Sequence, residues 1–195
     1  MRASKFLMTI ILTLVPLNIV AQHPEESVEL SFQRLQSQSP TDIRQASEQL
    51  LKQGKSDPKA REYIAVHLPP MIERGPKDNL GRWITLVRIA GELKIAEAAP
   101  ALAKWLTIDN IGEISTAGFM RMENNPAGAA LVQIGEPSIP AVATVFDHGT
   151  LRERRYAVYV LNQINSPGAK KALRAQLNRE PDEDLKDFIR KSLSS

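Results

Sequence analysis

Apolar residues recur along most of this chain at intervals of three and four, the period of a helix with one buried side. Pro, Gly, Ser and Asn cut that pattern into short segments. From Glu26 to Gln38, the positions Val28, Leu30, Phe32 and Leu35 come closer to helical than to strand spacing. Ser39 before Pro40 opens a second helix, with Ile43, Ala46, Leu50 and Leu51 inward and Gly54 as a left-handed stop. Ser56-Asp57-Pro58 opens a third, with Tyr63, Ile64, Val66 and Leu68 as its apolar positions and Pro69-Pro70 ending or kinking it. Gly75-Pro76 is a break, and a helix over 78–93 follows it. There the stripe of Leu80, Trp83, Ile84, Val87 and Gly91 is widened by Leu86, Ile89 and Ala90 past a single face, as in a helix packed on both sides. A further helix covers 95–106, and segment 107–125 reads as an inserted loop. Asn125-Pro126 then opens a short helix of small and apolar residues, which allow close backbone approach. Segments 137–146, 151–164, 168–177 and 182–193 complete a series of ten helices joined by short turns.

The pattern also repeats at a longer period. Leu50-x-x-Gln53-Gly54, Val87-x-x-Ala90-Gly91, Leu131-x-x-Ile134-Gly135 and Leu161-x-x-Ile164-Asn165 fall 37, 44 and 30 residues apart. The longest interval is the one that holds the insertion. Self-similarity of this length marks stacked helical hairpins, none of which buries its apolar side alone.

In these residues the chain resembles the HEAT repeat family, in the short variety first associated with phycobilin lyases. The likeness is carried by Ser39-Pro40-Thr41-Asp42-Ile43-Arg44-Gln45-Ala46, by 149–164, and by the joint Gly135-Glu136-Pro137-Ser138-Ile139-Pro140-Ala141-Val142. It is strongest over 126–177 and weakest over 58–75. The resemblance implies an all-α fold, an α-solenoid of about five helical pairs whose second helices line the concave side. It also implies that an Asp at the end of a first helix pairs with an Arg of a second helix, the positions held here by Asp147 and Arg155. Gly81 and Asn125 stand where two further copies would carry that Arg, so no continuous Arg ladder is expected.

Composition adds most at the amino terminus. Arg2 and Lys5 precede an apolar run from Phe6 to Val15 and an exit ending on Ala21, the layout of a signal peptide over 1–21. The competing reading is an uncleaved anchor. Run 6–20 is interrupted by Pro16 and Asn18, however, and falls short of the roughly 20 apolar residues that a bilayer span needs. Cleavage removes two bases and no acid, leaving 23 Lys and Arg against 22 Asp and Glu. That balance speaks against nucleic acid or an anionic membrane as the main partner. With no cysteine, the chain forms no disulfide and carries no lipid-attachment cysteine. The expectation is an exported, periplasmic or secreted protein, with 22–195 as one domain and no stable membrane insertion after cleavage.

Catalytic chemistry finds little footing. His23, His67 and His148 are scattered, and no His-x-x-x-His or His-Glu pair exists to hold zinc, or iron as in HEAT-fold hydroxylases. No Gly-x-Ser-x-Gly and no phosphate-cradling Gly pattern is present, and Asp147-His148 reads as a helix end rather than half a triad. No cofactor is expected. A second face does stand out on 151–164. At 100° per residue, Arg152, Arg155, Tyr156, Tyr159 and Gln163 fall on one side, opposite Ala157, Val160, Leu161 and Ile164. Tyr and Arg anchor interfaces, although a tyrosine here also fits as a packing residue with its hydroxyl at the surface. Phe119 and Met122, in the insertion, are the other candidates. The function expected is a non-catalytic scaffold that binds another protein through these residues. The alternative is an enzyme of the bilin-lyase kind or its auxiliary. The third reading is a polyanion-binding module, suggested by seven bases against Glu153 alone over 152–179.

Overall fold

The computed structural model describes residues 24–107 and 125–194, and among them every regular element is helical. The helices are α1 (Pro24–Leu35), α2 (Pro40–Ser56), α3 (Pro58–Glu73), α4 (Leu80–Glu92) and α5 (Ala99–Ala103), then α6 (Pro126–Ile134), α7 (Ile139–His148), α8 (Leu151–Ile164), α9 (Pro167–Leu177) and α10 (Glu183–Ser194). Short 3-10 turns at Ala96–Ala98 and Glu136–Ser138 lead into α5 and α7. The fold is all-α. Local grammar cuts the chain. Ser39, Asp57, Asn79, Asn125, Thr150 and Ser166 each accept a hydrogen bond from a backbone N–H in the first turn of the helix they precede. Pro40, Pro58, Pro126 and Pro167 take the first helical position, where a missing N–H breaks no intrahelical bond.

Packing arranges these helices in two series of contacts. In one, α2 meets α4, α4 meets α6, α6 meets α8 and α8 meets α10; in the other, α1, α3, α5, α7 and α9 meet in the same stepwise way. A hydrophobic cluster continues through both series from Val28 of α1 to Ile189 of α10. Small residues set the α4–α6 junction. A Cβ on Gly91 would lie 3.0 Å from the Cα of Ala130, so the two backbones come together as the composition of α6 predicts. The two joints share a positive φ but not a conformation, Gly135 having ψ of −140° and Asn165 ψ of 41°. Helix α6 ends on Gly135 with φ of 80° and α8 on Asn165 with φ of 46°, Asn being the residue after Gly that best tolerates the left-handed region.

Pro69 and Pro70 do not end α3, which runs on to Glu73. Its buried residues Ala60, Ile64, Leu68 and Ile72 recur every fourth position, and that packing outweighs the lost donors. The carbonyls left without an intrahelical N–H belong to Ala65, half-buried against the core, and Val66, on the side turned towards water. Val66, expected among the apolar positions, is 63% exposed for the same reason, and Leu80 lies at the outer rim of α4. Gly54 is not a stop. Helix α2 passes through it to Ser56, and the missing Cβ makes room for Leu93, whose Cδ1 would lie 2.6 Å from one. The helix expected over 95–106 shrinks to a 3-10 turn and the short α5, because Pro100 has no N–H and sits in the first turn of a helix. Residues 1–23, which contain the expected signal peptide, and 108–124, which contain most of the expected insertion, lie outside the described residues. Among the described residues no single helix is long and apolar enough to cross a membrane.

Candidate functional site

Helix α8 is set between firm ends. Thr150 and Glu153 form a capping box, Glu153 N–H donating to Thr150 Oγ1 at 3.3 Å and Thr150 N–H to Glu153 Oε2 at 2.7 Å. Ala157, Val158, Val160 and Leu161 are completely buried and fix the rotation of the helix about its axis. On the opposite side Arg152 and Gln163 are exposed, while Arg155, Tyr156 and Tyr159 are half-buried. Five of the seven candidate residues therefore share one face of one helix. Tyr156 also packs against the core cluster, which withdraws part of its ring from that face. Phe119 and Met122 lie outside the described residues.

The pairing implied for Asp147 and Arg155 does not form. Asp147 pairs with Arg179 of the turn after α9, and Arg155 reaches only to Asp184, 4.0 Å away at the start of α10. The neighbour Arg154 turns inward instead. Its Nε and Nη2 donate to the two carboxylate oxygens of Glu180 at 3.1 and 2.9 Å, and its Nη1 donates to the carbonyl of Gly149 at 3.0 Å. Glu180 accepts also from Gln176 Nε2 at 2.6 Å and from the backbone N–H of Asp182 at 3.2 Å. Gln176 in turn receives Arg179 Nε on its own carbonyl at 2.8 Å. The side chain of Glu180 is wholly buried and that of Arg154 is 17% exposed, so this bidentate pair ties the head of α8 to the α9–α10 turn. Both residues extend buried helical stripes, Arg154 that of Ala157, Val158 and Leu161, and Glu180 that of Ala169, Leu173 and Gln176. Opposite charges interrupting two apolar stripes were the available signal.

Burial by itself would raise the Glu180 carboxyl. The hydrogen bonds from Arg154, Gln176 and Asp182, with the Arg154 charge, outweigh it and hold the group below the usual glutamate value. Burial is likewise overcome at Glu153 by the Thr150 backbone and hydroxyl and the Thr107 hydroxyl, and at Glu92 by Lys55 and Arg88. A carboxyl depressed by folding contributes stability that is complete above its unfolded value, about 4.3, and is lost as pH falls through its folded value. The melting temperature is thus expected to stay level from pH 7 to about 5 and to fall as pH drops below the unfolded value of about 4.3, with Glu180→Gln making the fall shallower. Thermal melts across that range check this; a transition that does not move down to pH 3 contradicts it.

Among the described residues no group of three or more His, Asp or Glu side chains is placed to hold a metal ion. His67 stacks on Tyr63 with ring centroids 3.9 Å apart and its Nδ1 lies 2.8 Å from the Tyr63 carbonyl, which makes it a packing residue of α3. No family model and no curated protein matches the chain.

Proposed function

We propose that this chain is an exported, HEAT-like α-solenoid of about five helical pairs that binds another protein on the face formed by its even-numbered helices. The observation that carries the reading is the stepwise contact of α2, α4, α6, α8 and α10, each meeting the next-but-one helix of the chain. Helices arranged in that way leave one side of every member uncovered, and the uncovered sides run together into an extended surface. On α8 that side holds Arg152, Arg155, Tyr159 and Gln163, residues that suit a partner interface and have no part in the core. The role is presentation of a stiff surface and needs no reactive group. Export follows from the signal-like pattern over 1–21, and 22–195 is the working domain.

A photo-crosslinking residue in place of Gln163, introduced into the full chain in its source cells, tests the reading. It is expected to capture one discrete protein, with capture reduced about tenfold when Tyr159→Ala is added, the loss of a moderate interface anchor. The same probe at exposed Ala175, on α9, is expected to capture nothing in common with it. Identical products at both positions, or indifference to Tyr159→Ala, overturn the proposal.

A further inference from the structure

Two helices of the same series carry a second feature. Arg44 of α2 with Arg82 and Arg88 of α4 line an open groove of about 240 Å³, joined by Ser47, Thr85 and Gly81, and no acid lines it. Two of the three guanidinium groups are already engaged. Arg88 donates through Nη2 to Ser47 Oγ and through Nη1 to Glu92 Oε1, both at 2.9 Å. Arg44 reaches Glu48 at 3.4 Å in an exposed pair one helical turn long, a contact of little strength. Arg82 differs. No carboxylate among the described residues pairs with it, and its Nε is cut off from solvent with no acceptor. The sealed Nε is out of an occupant's reach, but Arg82 lines the groove with no carboxylate among the described residues paired to it, and that unpaired charge is what an acidic occupant can answer.

Gly81 bears on the same point. It is a helical residue in the first turn of α4, and a Cβ added to it would meet only Asn79 Oδ1, at 3.5 Å. Packing therefore does not require glycine here, yet its absent side chain keeps the groove open between Arg44 and Arg82. The flanks narrow the choice of ligand. Glu48 and Glu92 stand just outside the lining beside Arg44 and Arg88, where a continuous phosphate backbone would meet them. Ile43 and Pro40 add an apolar wall. Guanidinium forks match planar carboxylates two oxygens at a time.

We propose that this groove receives an acidic segment of a protein partner, one Asp or Glu carboxylate accepting from Arg82 and a neighbouring one lying between Arg44 and Arg88. The proposal rests on the partner-binding reading above and adds to it the chemical class of the partner's segment. The test is fluorescence anisotropy of the full chain with fluorescein-labelled hexaglutamate at low ionic strength, with hexaglutamine as its uncharged counterpart. Hexaglutamate is expected to bind and hexaglutamine not to. Arg82→Gln is expected to weaken binding about tenfold, the loss of one charge-assisted contact. Gly81→Glu places the chain's own carboxylate in the groove and is expected to abolish binding. An acid in the first turn of a helix favours the helix, so that loss cannot be put down to unfolding. Arg174→Gln, at an exposed site on α9, is expected to change nothing. Equal binding by both groove variants, or by hexaglutamine, overturns the proposal, as does a single-stranded oligonucleotide that binds more tightly than hexaglutamate and is displaced by Gly81→Glu. A failure here beside successful capture from position 163 removes only the groove assignment. Groove-dependent hexaglutamate binding without capture from position 163 removes the α8 interface and leaves the groove standing.

Discussion

Arg154→Ala is expected to destabilise the chain by about 3–5 kcal/mol, the range for removing one partner of a buried ion pair. The reason is what remains behind. Glu180 stays completely buried, and with Arg154 gone only Gln176 and the Asp182 backbone still donate to it. The Gly149 carbonyl at the head of α8 loses its donor as well. For a domain of this size each kcal/mol moves the melting temperature by about 2–4 °C, so a fall of roughly 10 °C is expected. Arg155→Ala is the matched control. Its nearest acid is 4.0 Å away and 89% exposed, so the change is expected to stay within about 0.5 kcal/mol. The double variant Arg154→Met with Glu180→Met is expected to recover part of the loss, since it leaves no unpaired charge inside. The order matters more than the sizes. A protein in which Arg155 proves the costlier arginine to remove would have the pairing that the family resemblance implied, and the buried Arg154–Glu180 tie would have to be given up.

That contrast also marks what can be read from the chain without coordinates. Helix starts were legible because their causes are local: Ser39-Pro40, Asp57-Pro58 and Asn125-Pro126 state cap and first turn within a few residues. The outward side of α8 was legible for the same reason, since helical periodicity alone separates Tyr159 and Gln163 from Val160 and Leu161. What escaped depends on residues far apart in the chain. Arg154 and Glu180 stand 26 positions apart, and although helical periodicity turns Arg154 inward, nothing local names the acid it meets. Pro69 and Pro70 do not end α3 because their local preference yields to the packing of Leu68 and Ile72. Gly54 read as a stop because glycine has two uses, and the partner that reveals the second, Leu93, comes from another helix. Gly81 read as a gap in the arginine series that the resemblance implies, whereas the structure sets beside it an arginine from the next position whose Nε lacks an acceptor.

Gly75→Ala is expected to be strongly destabilising, and its mechanism is visible by fluorescence. Gly75 follows α3 with φ of 77°, where an L-residue is strained by about 1–2 kcal/mol. A Cβ there would also lie 2.2 Å from Cζ2 of Trp105, so the indole ring must leave its place. Trp105 packs edge-on against Trp83 at a centroid separation of 6.4 Å. Trp83 is 1% exposed and donates its Nε1–H to the Ile72 carbonyl at 3.1 Å, closing the end of α3. Displacing one ring therefore loosens the other and the helix end that it caps. Overpacking of this kind costs about 1–3 kcal/mol, which with the backbone strain gives roughly 3–4 kcal/mol in all. These are the chain's two tryptophans, so tryptophan emission reports on these two rings. A red shift and a reduced near-ultraviolet circular dichroism signal are expected alongside the lower melting temperature. Gly81→Ala, in helical backbone with open space around it, is expected to leave the spectrum unchanged and to stabilise by a few tenths of a kcal/mol up to about 1. Equal melting temperatures for Gly75→Ala and Gly81→Ala, with tryptophan emission unmoved in both, would falsify the packing of Trp105 over Gly75.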